Sequence, residues 1–259
     1  SLIFGVMRIV NLSHGSYFLL GGYVALTVIW TTGSWLLALP VAAIAIGLVG
    51  LAMERVFLRP LGFDPLRQVL LTVGFAFLFQ QAALDIWTGN NFDISPPPAL
   101  SQSVSIGGIY FPLYRMFMIG IALAIGLTLY LIMEKTRVGA MVRATVDDAQ
   151  MARGIGIDTS RVSMMIFSLG AALAALGGVI GGAFLGVYIG LDFEMLPIAF
   201  AVVIIGGMGS LGGAAIGALL VGLADNFGKA LFPEISYFTL YAPMALILAV
   251  KPTGLFGRD

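Results

Sequence analysis

Charge is the first thing that this sequence lacks. Only 10% of its 259 residues are charged and 59% are hydrophobic, whereas a soluble globular domain carries about 25% charged residues. The formal net charge at pH 7 is zero, so the composition gives no support to nucleic-acid binding. Cysteine is also absent, which excludes disulfides and thiolate metal sites. A water-facing surface cannot be built from this composition, and we interpret the chain as a polytopic membrane protein.

The few charges are grouped between long stretches that hold no Asp, Glu, Lys or Arg. These stretches are 9–53, 68–84, 116–133, 162–191, 195–224 and 235–250. Because a helix needs about 20 apolar residues to cross the hydrocarbon core, we expect an all-α bundle of transmembrane helices. No polar stretch is long enough for a soluble domain, so one transmembrane domain over 1–259 is predicted. The sequence opens at Ser1 inside an apolar run, and we expect the start of the first helix to be missing.

Basic residues are concentrated in three segments, 54–67, 134–161 and 251–259. The positive-inside rule predicts that these segments, and with them the C-terminus, face the cytoplasm. The proline-rich segment 94–115 is then external. Single crossings that fit this alternation lie near 36–53, 68–84, 116–133, 162–186 and 235–250.

Two segments do not fit as simple crossings, because 1–31 and 195–224 are each expected to begin and end outside. Both are interrupted, the first at NLSHGS (11–16) and the second at GGMGSLGG (206–213). Interrupted segments at corresponding places in two halves of a chain indicate the central pathway of a transporter. We therefore expect interrupted or re-entrant helices and an internal inverted repeat.

The second interruption contains Gly207-x-Gly209-x-x-Gly212, the spacing of a dinucleotide-binding fingerprint. That fingerprint must lie in a βαβ unit with an acidic residue about 20 positions further on. Here the flanks are membrane segments, and the next acid, Asp225, follows too soon. Close helix packing, or a tight re-entrant turn, explains these glycines better.

Polar side chains are rare inside the charge-free spans. They include Asn11, Ser13 and His14 at the first interruption, and Gln80 and Gln81 in the span 68–84. Because an unpaired polar group in lipid costs several kcal/mol, these side chains must face the bundle interior or a cavity. We predict that they line a substrate pathway together with Gly207 and Gly209; the alternative is a structural role, in which His14 satisfies the broken backbone. The free N–H groups of a broken helix could receive a substrate carboxylate, and Arg8 could attract an anion or pair with an acid.

A family resemblance rests on several blocks in order along the chain. The stretch MRIVNLSHG (7–15), followed by GGY (21–23), resembles the permease subunits of bacterial branched-chain amino-acid ABC importers. Further blocks similar to that family are MERVFLRPL (53–61), VGAMVRATVDDAQMARGIGIDTSRV (138–162), GGMGSLGGAAIGALLVGLAD (206–225) and KPTGLFGR (251–258). Permeases for urea and short-chain amides share much of this pattern, so the resemblance indicates the family better than the substrate.

The resemblance implies a non-enzymatic, multi-pass permease of the bacterial inner membrane without a cofactor or a metal ion. Its expected partners are two cytoplasmic ATPase subunits, a second homologous permease subunit and an external solute-binding protein that delivers branched-chain or hydrophobic amino acids. Pairing with a second copy of the same chain remains an alternative. The chain itself lacks a P-loop, because its nearest approach, Gly228-Lys229-Ala230, has no Ser or Thr after the lysine. Transport of urea or a short amide is the alternative function, followed by ion-coupled secondary transport.

The long basic loop holds the predicted contact with the ATPase. Within 143–158 the pattern predicts a short helix that closes at Gly154 or Gly156. Asp147 and Asp148 near its start and Arg153 near its end match the helix dipole. Small residues that another protein could approach closely are Ala144, Ala149 and Ala152. The resemblance implies that this is the coupling helix; the alternative is a solvated loop.

Acidic residues are expected only outside the spans. Asp192, Glu194, Asp225 and Glu234 are predicted to be solvated external charges, with contact to the solute-binding protein as the alternative. A membrane-embedded enzyme or a proton relay would need ionisable groups inside the bundle. The spans offer only His14, which argues against both.

Overall fold

Ten α-helices make up most of the described structure. The computed structural model describes residues 3, 11–62, 64–251 and 253–257, without the side chains of 106, 236, 237, 239 and 240. In chain order the helices are α1 (His14–Thr32), α2 (Trp35–Ala52), α3 (Pro65–Trp87), α4 (Leu113–Lys135), α5 (Arg137–Asp147), α6 (Ala149–Gly154), α7 (Thr159–Leu185), α8 (Leu191–Gly206), α9 (Leu211–Leu231) and α10 (Ser236–Val250). Short 3-10 turns lie at Arg59–Leu61, Pro98–Leu100 and Pro233–Ile235.

Five helical segments in the described part are long and apolar enough to cross a membrane. They are Trp35–Leu61, Pro65–Trp87, Leu113–Lys135, Thr159–Leu185 and Leu211–Leu231. The first of these joins α2 to a π-helical turn, Met53–Leu58, and to the 3-10 turn that follows it. The prediction of a polytopic helical membrane protein is therefore confirmed. The inverted repeat and the single-domain organisation stay predictions.

Helix α1 lies at the centre of the bundle and packs against α2, α3, α7 and α8. Glycines permit this packing. A Cβ on Gly178 of α7 would collide with the Phe18 carbonyl oxygen of α1 and would lie 3.0 Å from Gly22 N. Gly21 likewise leaves no room for a side chain beside the backbone of Ala175. Lipid provides no hydrophobic drive between helices, so this close backbone approach supplies the packing energy.

Helices α8 and α9 form a hairpin whose turn lies inside the predicted interruption. Helix α8 ends at Gly206 and α9 begins at Leu211. Gly207 and Gly209 have φ angles of 100° and 80° in the turn between them, a backbone conformation that disfavours side chains. The Ser210 hydroxyl accepts a hydrogen bond from Gly213 N at 3.0 Å and caps α9. Sixteen residues give α8 a length of about 24 Å, short of a hydrocarbon core of about 30 Å.

The C-terminal segment closes the end of this hairpin. Leu255 N donates to Ile205 O at 2.9 Å and Phe256 N donates to Gly206 O at 3.2 Å. These two bonds satisfy carbonyl groups that the end of α8 would otherwise leave unpaired. Leu211, just after the turn, packs on an apolar cluster formed by Met133, Val142, Val162 and Ile166. The tail, the α8–α9 turn and the α5–α6 segment therefore lie at the same end of the bundle.

Loops at the other end of the bundle carry a small sheet. Strands β1 (Ser103–Ile106) and β2 (Ile109–Pro112) form an antiparallel hairpin. Gly107 and Gly108 form its two-residue turn with φ angles of 60° and 84°, as a type I′ hairpin requires.

Candidate functional site

The chain enters α1 through a compact polar turn. Asn11 is 5% exposed and Ser13 is fully buried. The Asn11 Oδ1 atom accepts from Ser13 N at 3.0 Å and from the Ser13 hydroxyl at 2.6 Å. Leu12 N donates to Thr72 Oγ1 of α3 at 3.3 Å, and His14 N donates to Asn11 O at 3.4 Å. Of the predicted interruption at 11–16, residues 11–13 form this turn and 14–16 belong to α1, which begins at His14.

A thioether sulfur completes this turn from the side of α2. Met53 Sδ accepts from the Tyr17 hydroxyl at 2.8 Å and lies 3.6 Å from the Ser13 hydroxyl oxygen. Met53 opens the π-helical turn Met53–Leu58, and such turns often mark functional positions. Tyr17 also meets the His14 ring edge-on, with 5.8 Å between ring centroids.

These contacts revise one expectation about the break. The N–H groups of Leu12, Ser13 and His14 are each hydrogen-bonded within the protein, so they are not available to a substrate carboxylate. Two buried atoms of the turn have no hydrogen-bond partner among the described residues, Asn11 Nδ2 and His14 Nδ1. Whether the side chains line a pathway stays a prediction. Arg8 lies outside the described residues.

Asp192 is the largest difference between expectation and structure. It was predicted to be a solvated external charge, but only 2% of it is exposed. It lies in the first turn of α8, and its Oδ2 atom accepts from the Ser16 hydroxyl of α1 at 3.1 Å. A Cβ on Gly15 would collide with the Asp192 carbonyl oxygen, so glycine is what lets the two helix N-termini meet. Burial follows from this contact between segments far apart in the sequence.

Glu54 is a second buried acid that the sequence did not reveal. It is 2% exposed in the π-helical turn, and its Oε2 atom has no hydrogen-bond partner among the described residues. Its position directly after the charge-free stretch 9–53 was the available signal. The expectation that the bundle holds no acid is wrong for both Asp192 and Glu54.

The other predicted pathway residues lie apart from this turn. Gln81 is exposed on α3, where its Nε2 atom donates to Asp85 Oδ1 at 2.9 Å, and Gln80 is half-buried. Gly207 and Gly209 lie in the α8–α9 turn, and Gly207 packs against the C-terminal segment. The structure therefore brings together Asn11, Ser13 and His14 but not the two glutamines or the two glycines.

The predicted short helix is α6, which ends at Gly154 as expected, and a further helix, α5, precedes it. Helix α5 ends at Asp147, and Asp148 is the N-cap residue of α6. The Asp148 Oδ1 atom accepts from Gln150 N at 2.8 Å and from Met151 N at 2.9 Å. These bonds from Met151 and Gln150 lower the pKa of the Asp148 carboxyl below its usual value. At the other end of α6, Arg153 Nε donates to Ala149 O at 3.1 Å, and the chain leaves α6 through Gly156 with φ of 90°.

The outer face of α6 differs from the predicted small-residue face. Ala152 is 2% exposed and packs against the protein itself, so no partner can approach it. Ala149 is half-buried, whereas Asp147, Asp148, Arg153 and Gly154 are exposed. Two apolar side chains that the sequence did not single out are the most exposed ones on this segment, Met151 at 64% and Ile155 at 70%.

Comparison with known proteins decides the family. Residues 1–248 match the family described as the permease component of branched-chain amino acid transport systems. The chain belongs to this family. It is 32% identical over 280 residues to the high-affinity branched-chain amino acid transport system permease protein LivH of Salmonella typhimurium, with 100% of this chain and 89% of that protein covered.

Other relatives agree with this membership. LivH of Escherichia coli strain K12 is 31% identical over 277 residues, and BraD of Pseudomonas aeruginosa is 28% identical over 275 residues. Each alignment covers 100% of this chain and 89% of the relative. No solved structure matches the chain. The protein is thus a multi-pass permease component of a transport family, as its motifs predicted.

Proposed function

We propose that this chain is the membrane permease subunit of an ATP-driven importer for branched-chain amino acids. The observation that carries the proposal is the family match over residues 1–248, together with full-length relatives whose names specify branched-chain amino acid transport. An external solute-binding protein delivers the amino acid, and ATP hydrolysis takes place in separate subunits. The permease pairs with a second, homologous permease subunit in the inner membrane and forms one transmembrane domain.

Helix α6, with Ile155 directly after it, is the proposed docking surface for an ATPase subunit. It shares one end of the bundle with the C-terminal segment, and the positive-inside rule predicts that this end faces the cytoplasm. The Asp148 cap holds α6 in a fixed conformation at this surface. Met151 and Ile155 are exposed apolar side chains with charged neighbours, an arrangement typical of the anchors at a protein interface.

Substrate and coupling are tested together in a reconstituted complex. The chain is purified with its ATPase and second permease in lipid nanodiscs, and ATP hydrolysis is measured with binding protein loaded with leucine, valine or urea. We expect leucine and valine, but not urea, to stimulate hydrolysis. Stimulation by urea alone would change the substrate class. Failure of any ATPase to co-purify would contradict the proposed function.

The same assay tests the proposed docking surface with substitutions of its exposed apolar residues. We expect Met151→Asp and Ile155→Asp to lower leucine-stimulated hydrolysis at least about tenfold, because each places a charge in an apolar contact. The matched control is Val138→Asp, which changes a 42% exposed apolar residue at the start of α5. Equal activity of all three variants would exclude α6 as the docking surface.

A further inference from the structure

One carboxylate oxygen of the buried residue Asp192 has no hydrogen-bond partner among the described residues where α1 and α8 meet. Asp192 Oδ2 accepts from the Ser16 hydroxyl at 3.1 Å, but Oδ1 has no hydrogen-bond partner among the described residues. No described Lys or Arg side chain forms an ion pair with this group; the described ion pairs are Arg67–Asp64, Arg143–Glu134, Arg161–Asp158 and Lys229–Asp225. Burial of a carboxylate without a cation is costly, so a positively charged ligand would stabilise its ionised form.

Two helix N-termini lie beside this carboxylate. Asp192 lies in the first turn of α8, and its partner Ser16 lies in the first turn of α1. Two helix N-termini with their positive dipole ends therefore meet around one acid. The positive ends of the two helix dipoles offset part of the cost of burying the carboxylate.

A second orphaned polar atom lies on the same face of α1. The Tyr23 side chain is fully buried, its hydroxyl has no hydrogen-bond partner among the described residues, and it interacts electrostatically with Asp192. Ser16 and Tyr23 are seven positions apart, so they share one side of the helix. Aromatic contact with Trp87, at 5.0 Å between ring centroids, holds the Tyr23 ring in place.

We propose that Asp192 Oδ1, with the Ser16 and Tyr23 hydroxyls, binds the ammonium group of the amino acid during its passage. An ammonium group carries one positive charge and three N–H donors, which match one carboxylate oxygen and two hydroxyl oxygens. At 2% exposure Asp192 is closed off in the present conformation, so the amino acid reaches it when α1 and α8 separate during the transport cycle. The inference rests on the proposed function and names the substrate group that this site recognises.

The test is leucine transported per ATP hydrolysed, measured in proteoliposomes that contain the complete complex and leucine-loaded binding protein. We expect Asp192→Asn to lower this ratio at least about tenfold, as loss of a charged hydrogen bond predicts, while ATP hydrolysis continues. A merely structural role would instead lower hydrolysis and transport together. Glu194→Gln is the matched control, because Glu194 lies in the same helical turn but is exposed and bonded to the Tyr188 hydroxyl at 2.7 Å.

Leucine analogues enclosed in the vesicles show which chemical group of the amino acid the site recognises. We expect leucinamide inside the vesicles to inhibit uptake by the wild-type protein, 4-methylpentanoate to have no effect, and Asp192→Asn to abolish inhibition by leucinamide. Ser16→Ala should weaken that inhibition, and Asp192→Glu should retain part of it; these two variants carry the test if Asp192→Asn does not fold. Equal leucinamide inhibition of the wild type and the Asp192 variant would overturn the assignment.

Other cations that could pair with Asp192 would give different results in these experiments. Uptake that depends on sodium, with no response to leucinamide, would identify an alkali cation instead of an ammonium group and overturn the proposal. Recovery of uptake in an Arg8→Gln, Asp192→Asn double variant would identify Arg8 as the partner and overturn it as well. Absence of leucine uptake by the wild-type protein would refute the proposed function and this inference together. Wild-type uptake with an unaffected Asp192→Asn variant would refute the inference alone.

Discussion

The close approach of α1 and α7 makes Gly178→Ala a sensitive test of the packing. The added Cβ would collide with the Phe18 carbonyl oxygen and lie 2.9 Å from the Phe18 carbonyl carbon. Both atoms belong to the backbone of α1, so no side-chain rotation can relieve the collision. The two central helices must instead separate.

The size of the effect follows from two opposing contributions. Overpacking of a close-packed interior costs about 1–3 kcal/mol, and backbone atoms place this site at the upper end. Alanine in a helix gains about 0.5–1 kcal/mol over glycine. The net loss is about 2 kcal/mol, which corresponds to a melting temperature lower by roughly 4–8 °C for a chain of this size.

The assay is tryptophan fluorescence during heating of the purified protein in detergent. Gly74→Ala is the matched control, since a Cβ there meets nothing within 4 Å, and its melting temperature should stay unchanged or rise. Equal melting temperatures of Gly178→Ala and Gly74→Ala would refute the packing of α1 on α7.

Substitutions at two further positions, Asn11 and Asp148, test their structural roles. Asn11→Ala leaves the Ser13 N–H and hydroxyl without their buried acceptor and should destabilise the protein by about 1–3 kcal/mol. The control Gln81→Ala, at an exposed site, should leave the stability unchanged. Equal stability of both variants would contradict a structural role of the turn. Asp148→Ala should speed amide exchange of Gln150 and Met151, whereas Asp148→Asn should preserve the cap. Because the folded-state pKa of Asp148 is lowered, the wild-type cap is fully formed above the ordinary carboxyl pKa and weakens as pH falls through the folded value. The Asp148→Asn cap should lack this pH dependence, and identical pH profiles would exclude the charged cap.

Membrane helices were predictable because their signal is local. Predicted spans such as 36–53 and 116–133 correspond to helices Trp35–Ala52 and Leu113–Lys135, since an apolar run of sufficient length has few other stable structures in lipid. The interruption at 206–213 was also visible, because Gly207 and Gly209 permit a turn that few other residues adopt.

Burial of single side chains was not predictable, because it depends on contacts between distant segments. Asp192 looked like a loop charge until Gly15 and Ser16 of α1 were placed against it. Ala152 looked like part of an exposed face, but only 2% of it is exposed in the structure. The periodicity of a sequence identifies the faces of a helix, but it does not identify the face that the rest of the protein will cover.

The most direct test of the account is cross-linking from a single cysteine at position 151. The chain contains no cysteine, so Met151→Cys and a control, Tyr110→Cys on strand β2, each provide one thiol without background. Both original side chains are exposed, at 64% and 75%. We expect Met151→Cys to cross-link to a co-purified ATPase subunit and to react only with reagents applied from the cytoplasm, whereas Tyr110→Cys reacts only from outside. Labelling of Met151→Cys from outside, or its failure to cross-link in an active complex, would contradict the assignment of α6 as the surface through which ATP hydrolysis drives transport.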